Sequence, residues 1–189
     1  PVTQNTKRYV RTFWGLDRAL AYARHFPSIN WLTSYSEYAA DLKPWYDANV
    51  SPDFVPCRNK ISNLLQEESS LMEIVKLIGA DILPEDQKLV IETAKLIRVG
   101  FLQQNAYHDI DTYVPLEKQL KMMQVILRLY NGARALIARS IPLSQLRATG
   151  IFETLTKIKY EIANDQLEKF TEYDALVDEA LDTVDKANR

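Results

Sequence analysis

At 189 residues with 47% hydrophobic side chains, the chain is long enough to bury one sizeable core and suits one domain better than two. Its 25 acidic and 23 basic residues leave a formal net charge of -2, with no block of like charge, which excludes the basic footprint of a nucleic-acid binder and an acidic tail. The apolar runs fall far short of the roughly 18 residues of a membrane span, and no secretory signal pattern opens the chain.

Residues 8–14 alternate, with Val10, Thr12 and Trp14 on one side and Tyr9, Arg11 and Phe13 on the other, which is the period of a strand. A lone strand has nothing to pair with, so the pattern predicts the stub of a sheet whose other strands lie elsewhere. The opening at Pro1 instead of a methionine fits a piece excised from a longer protein, or a sequence given incompletely. Residues 16–24 read as a short helix ended by Pro27, followed by a turn-rich passage to Tyr35. Ser36 is placed to cap a helix running through Tyr38 and Leu42 toward Trp45. Pro52 and Asp53 open a long helix with Ile61, Leu64, Leu65, Leu71, Val75 and Ile78 at helical spacing, stopped by Gly79 in a position that glycine fills at little cost.

Pro84 restarts a helix as its first residue, with Glu85 and Asp86 complementing the helix dipole and Val90, Ala94, Ile97 and Phe101 as the apolar stripe. Residues 115–139 repeat the pattern with Leu116, Leu120, Met123, Leu127, Tyr130 and Ile137. Pro142 and Gly150 punctuate the tail. Ile151, Leu155, Ile158 and Ile162 line one further helix, and Leu167, Phe170, Val177 and Leu181 line the last. The fold class expected is all-α: a helical bundle with one short N-terminal strand.

Chemistry-bearing patterns are sparse. The glycines are Gly15, Gly79, Gly100, Gly132 and Gly150, no two of them close together. A phosphate-cradling loop needs clustered glycines followed by Lys and Ser/Thr, so none is present. His25 and His108 are the only histidines and Cys57 the only cysteine, too few for the usual zinc sites and leaving no internal disulfide, which fits a reducing compartment. The pairs Glu67-Glu68 and Asp178-Glu179 read as solvated helix faces. Arg58 beside Cys57 could lower the thiol pKa, against the plainer reading of a buried structural cysteine. No catalytic residue and no metal ligand is expected in this chain.

One stretch is specific. Pro27-Ser28-Ile29-Asn30-Trp31-Leu32-Thr33-Ser34-Tyr35-Ser36 resembles the alpha/beta-subunit signature of rotary ATPases: proline, small residue, aliphatic, Asp/Asn, then two serines one residue apart. Extended back to His25-Phe26, the wording is similar to the catalytic A subunit of V/A-type enzymes. Pro1-Val2-Thr3-Gln4-Asn5-Thr6 resembles the segment after that subunit's nucleotide-binding strands, and Phe101-Leu102-Gln103-Gln104-Asn105-Ala106-Tyr107 resembles its adenine-pocket segment. The likeness runs over essentially the whole chain. Two departures stand out. Glu37 occupies the position where noncatalytic subunits, and F-type catalytic ones, carry arginine; Tyr107 stands where many relatives have phenylalanine, an exchange that keeps the π face.

The resemblance implies a division of labour. Residues 1–35 would end the nucleotide-binding domain, as strand stub, short helix and signature loop (Pro27, Ser28, Ile29, Asn30, Ser34 and Ser36), and residues 36–189 would form the C-terminal helical bundle domain. ATP or ADP with Mg2+ would be bound by the full-length protein, with triphosphate and metal held upstream and no cofactor held tightly by this piece. Phe101, Ala106 and Tyr107 would contribute the adenine pocket. Asp81, Ile82, Leu83, Pro84, Glu85 and Asp86 would form the contact with the central stalk, coupling hydrolysis or synthesis to rotation and ion transport. The implied partners are the B subunit, source of an arginine finger, and the central-stalk subunits. Nucleic acid and direct membrane insertion are not expected. The implied location is cytoplasmic, peripheral on the membrane-bound complex. The alternative is a free-standing helical adaptor that binds partner helices through amphipathic grooves.

Overall fold

The structure, a computed structural model, describes residues 5–6, 9–79 and 82–189. The all-α expectation holds, but the strand is shorter than its alternation suggests and it has a partner. β1 (Thr12–Phe13) pairs antiparallel with β2 (Tyr35–Ser36), with Thr12 opposite Ser36 and Phe13 opposite Tyr35. Between them lies α1 (Arg18–Tyr22), shorter than the stretch read from the sequence. It starts where Asp17 Oδ1 accepts the Ala19 and Leu20 N–H groups at 2.8 and 3.3 Å.

Ser36 caps nothing. Its hydroxyl lies 3.2 Å from Thr12 Oγ1 across the sheet, and the helix expected after it is two: α2 (Tyr38–Asp41) and α3 (Lys43–Asn49). Pro44 sits in the first turn of α3, where its missing N–H leaves no bond unmade. The long helix α4 (Phe54–Ile78) buries Ile61, Leu64, Leu65 and Leu71. Gly79 ends it at φ 87 and ψ 160, a conformation open essentially to glycine alone, while its N–H closes the ladder on Val75 O. Ala80 and Asp81 lie outside the described residues.

Pro84 is the cap of α5 (Glu85–Leu96), not its first residue. The apolar stripe then runs on through a π-helical turn at Ile97–Leu102. At the centre lies α6 (Leu116–Ile137), flanked by α4 and α5 and packed along α9 (Phe170–Ala187), which is why so much of its circumference is apolar. A short helix that the periodicity does not reveal, α7 (Leu143–Ala148), follows Pro142, and α8 (Ile151–Glu161) packs against the π-turn. A single 3-10 turn, Leu167–Lys169, leads into α9. One contiguous core joins α4 to α9. Each fully buried Leu, Ile or Phe in it contributes about 1.5–3 kcal/mol relative to exposure.

Candidate functional site: the cleft between the N-terminal loops and the bundle

The π-turn is where the chain leaves the bundle toward the N-terminal loops. Gln103 N–H closes back five residues, on Arg98 O at 2.9 Å, and Gln104 N–H is thereby turned out to meet Phe26 O at 2.7 Å. Beside this join opens a cleft of about 700 Å3. It is lined by Arg24, Phe26 and Pro27, by Gln103 to Tyr107, and by Asp111, Thr112 and Tyr160. Tyr107 is 97% exposed and Phe26 53% exposed, so each offers a free ring face to the same space. Ala106 belongs to the same lining.

Phe101 lines the space next to this cleft. It is half-buried, packs against the core, and lines cavities of about 310 and 430 Å3 shared with Trp31. Of the three residues read as an adenine pocket, Ala106 and Tyr107 line this cleft and Phe101 lines the adjoining cavity, which shares Pro27, Gln104 and Asp111 with it. Phe26 takes its place in the cleft. The sequence offers Phe26 only as the neighbour of the signature's Pro27, with nothing to mark it as a lining residue.

The cleft is lined by polar groups, of which Asp111 is buried and Asn105 and Thr112 are exposed. Asp111 accepts the Asn105 N–H at 2.7 Å, Asn105 Oδ1 accepts the Tyr107 N–H at 3.0 Å, and Thr112 Oγ1 donates to Ala106 O at 2.9 Å. Lys159 donates to Val99 O at 3.1 Å and to Gln103 O, with Asp111 Oδ2 at 3.9 Å. Burial lowers the pKa of Lys159, and the charge of Asp111 works against that shift. Lys118, also buried, donates to Lys159 O, Ile162 O and Asn164 Oδ1 at 2.9, 2.6 and 3.0 Å, and burial lowers its pKa too.

The signature residues build a scaffold, with Asn30 at its hub. Asn30 Oδ1 accepts the N–H groups of Leu32 and Thr33 at 2.9 and 3.1 Å, its Nδ2 donates to Asp17 Oδ2 at 2.8 Å, and its N–H meets Gly15 O at 2.7 Å. That contact with Asn30 is the first cause holding the Asp17 carboxyl below its ordinary range. Ser34 Oγ donates to Asn30 O and accepts from Gly15 N–H, Ser28 Oγ donates to His25 O, and Ile29 bridges to Leu16. Ser36 faces Thr12 as described. The Phe26–Pro27 bond is cis.

In the 81–86 segment, Ile82 is 69% exposed and Pro84 and Asp86 are exposed, whereas Leu83 is buried. Glu85 is engaged internally: one oxygen accepts the Leu143 N–H at 2.7 Å and the other meets Lys88 Nζ at 3.0 Å. Those two bonds, the Leu143 one first, hold its carboxyl below the ordinary range.

Two readings need correction. Glu68 is not a solvated residue but is buried against Arg98, thirty positions along the chain; Glu67, Asp178 and Glu179 are exposed. Arg58 does not lower the Cys57 thiol, because burial raises it and Arg58 NH1 bonds Asn59 Oδ1 at 3.3 Å. His25 is buried beside Trp31, its pKa pushed down by burial first. The described residues include no group of three or more His, Cys, Asp or Glu able to hold a metal ion, and no helix among them is long and apolar enough to cross a membrane.

What this geometry defines is a helical-bundle domain with a loop-and-strand segment docked at one end and an aromatic cleft at the join. A family model described as the C-terminal domain of V and A type ATP synthase matches residues 43–147, and the chain belongs to that family. It is 56% identical over 167 residues to the V-type ATP synthase alpha chain 2 of Clostridium tetani, covering 88% of this chain and 28% of that protein. Against the V-type ATP synthase alpha chain of Halothermothrix orenii it is 50% identical over 179 residues, 95% of this chain and 30% of the relative. Against the V-type ATP synthase alpha chain of Clostridium botulinum the figures are 44% over 186 residues, 98% and 31%. The chain spans less than a third of the length of these relatives. Family membership sets the adaptor reading aside.

Proposed function

We propose that this domain closes the base side of a nucleotide site in the catalytic subunit of a rotary ATP synthase, and carries the surface by which that subunit pushes on the central stalk. The observation that carries the first part is the cleft: two exposed aromatic side chains, Phe26 and Tyr107, in one lining with Ala106, the backbone at Asn105 and Ala106 being tied to Asp111 and Thr112. A purine needs a flat apolar slot, and these residues offer one. Triphosphate and Mg2+ are assigned to the rest of the subunit, upstream of the domain boundary near residue 35, and the arginine finger to a B subunit. The complex so assembled is peripheral on the cytoplasmic side of its membrane. For the second part the support is the 82–86 segment: Glu85 ties it rigidly to α7 while Ile82, Pro84 and Asp86 stay exposed for a partner. A cysteine at Ile82 should crosslink to a stalk subunit in the assembled complex, and no crosslink at any rotary position would remove the segment from that role.

The test of the base site is nucleotide titration of the assembled complex. One base–aromatic contact contributes about 1–3 kcal/mol, and each 1.4 kcal/mol is tenfold in affinity. Tyr107→Ala should therefore weaken nucleotide binding by about one to two powers of ten, and Tyr107→Phe should leave it unchanged. Millimolar affinity already needs about 4 kcal/mol, so the 189-residue chain alone should bind ATP hardly at all and should not turn it over. Equal affinities for wild type and Tyr107→Ala would make Tyr107 a surface ring only.

A further inference from the structure

We propose that Lys159 and Asp111 are positioning residues for the base cleft: a buried pair that grips residues 103–107 from beneath and sets the aim of Tyr107. This rests on the reading of the cleft as a base site. The two side chains are 3% and 2% exposed, and they hold the segment at alternate residues: Lys159 on the carbonyl of Gln103, Asp111 on the N–H of Asn105. Tyr107 follows two residues later, its own N–H bound to the Asn105 side chain.

The π-turn explains why a lysine is used. In an α-helix Val99 O would accept the Gln103 N–H, but that donor is spent on Arg98 O and the next one, from Gln104, is spent on Phe26 O. Val99 O is left for a side chain. An ammonium has three donors and no acceptor; Lys159 donates to the carbonyls of Val99 and Gln103, and the carboxylate of Asp111 stands 3.9 Å away as its counter-charge. Gly100 permits the approach. An added Cβ there would stand 3.3 Å from Thr156 Cα and 3.4 Å from Leu155 O, so α8 would have to give by a few tenths of an ångström to accept a larger residue. A buried ion pair is a poor way to stabilise a fold, since its desolvation offsets its attraction, but it fixes geometry, and here the geometry it fixes is the cleft wall.

The experiment uses the full-length protein in complex with its partners. Affinity for MgADP is measured beside competition by inorganic tripolyphosphate, which has no base. Lys159→Met is expected to weaken MgADP about tenfold, the lower end of one base–aromatic stack, and to leave tripolyphosphate competition unchanged. In a Tyr107→Ala background it should cost nothing further, because both changes act through one contact. Equal losses for both ligands, or losses that add fully, overturn the proposal. If Lys159→Met fails to assemble, Asp111→Asn, which keeps an oxygen for the Asn105 N–H, is judged by the same criteria. Failure of both to assemble makes the pair a stability element and overturns the proposal as well. A normal MgADP affinity in Lys159→Met beside a weakened Tyr107→Ala removes only the positioning role, whereas an unaffected Tyr107→Ala removes the base site and the positioning role together.

Discussion

Within residues 9–36 only Gly15 and His25 are buried, while α6 alone buries ten residues. The N-terminal loops are ordered by directed bonds, with Asp17, Asn30 and Ser34 each holding two or more partners across the loop. The bundle is ordered by apolar packing that no single bond dictates. The difference teaches where each region is vulnerable. Removing one acceptor from the loops releases them locally, whereas the bundle gives way only as a cooperative unit.

The largest effect expected is in the bundle. Phe170, 1% exposed at the start of α9, should cost about 3–5 kcal/mol as Phe170→Ala, read from the urea midpoint. A loss well under 1 kcal/mol would mean that α9 is not integral to the core. Next, Asn30→Ala should open the loops by about 1–3 kcal/mol, speeding hydrogen exchange at the Leu32 and Thr33 amides while the urea midpoint barely moves. Unchanged exchange at those amides would erase the contrast between the two regions.

A smaller effect should depend on pH. Because the Leu143 N–H and then Lys88 hold the Glu85 carboxyl below its ordinary value of 4.5, its contribution is fully present above that pH and is lost as pH falls through the lower folded value. Glu85→Gln should therefore lower stability at neutral pH, where the carboxylate's contribution is present, and flatten the acid limb below pH 4.5, so that the two curves converge in acid. The smallest effect is at Tyr107. At 97% exposure, neither Tyr107→Phe nor Tyr107→Ala should move the melting free energy by more than about 0.5 kcal/mol, so any nucleotide effect there is local.

The long helices were legible because their period repeats: Leu120, Met123 and Leu127 announce α6, and Ile151, Leu155 and Ile158 announce α8. Tyr35 and Ser36 are too short a run to show any period, so their pairing with β1 and the loss of the Ser36 cap could not be read. The six residues of α7 span fewer than two turns and carry no stripe. In the cleft, Ala106 and Tyr107 are singled out by the family resemblance alone, since no period or local motif marks them. Phe101 was legible as a member of the apolar stripe, and the structure packs it against the core. The burial of Glu68 and Lys159 depends on partners distant in sequence, which spacing does not report.

A π-turn also changes how the chain keeps count. It carries one residue more than the α-helical turn it replaces, and one residue corresponds to about 100° of helical rotation and 1.5 Å of rise. A single deletion within 97–102 would let an uninterrupted α-helix form with a better ladder of its own. Everything beyond it would then leave the bundle about 100° out of phase, with the Gln104 N–H turned away from Phe26 and Tyr107 carried off the cleft. Such a variant would be more regular as a helix and wrong as a wall.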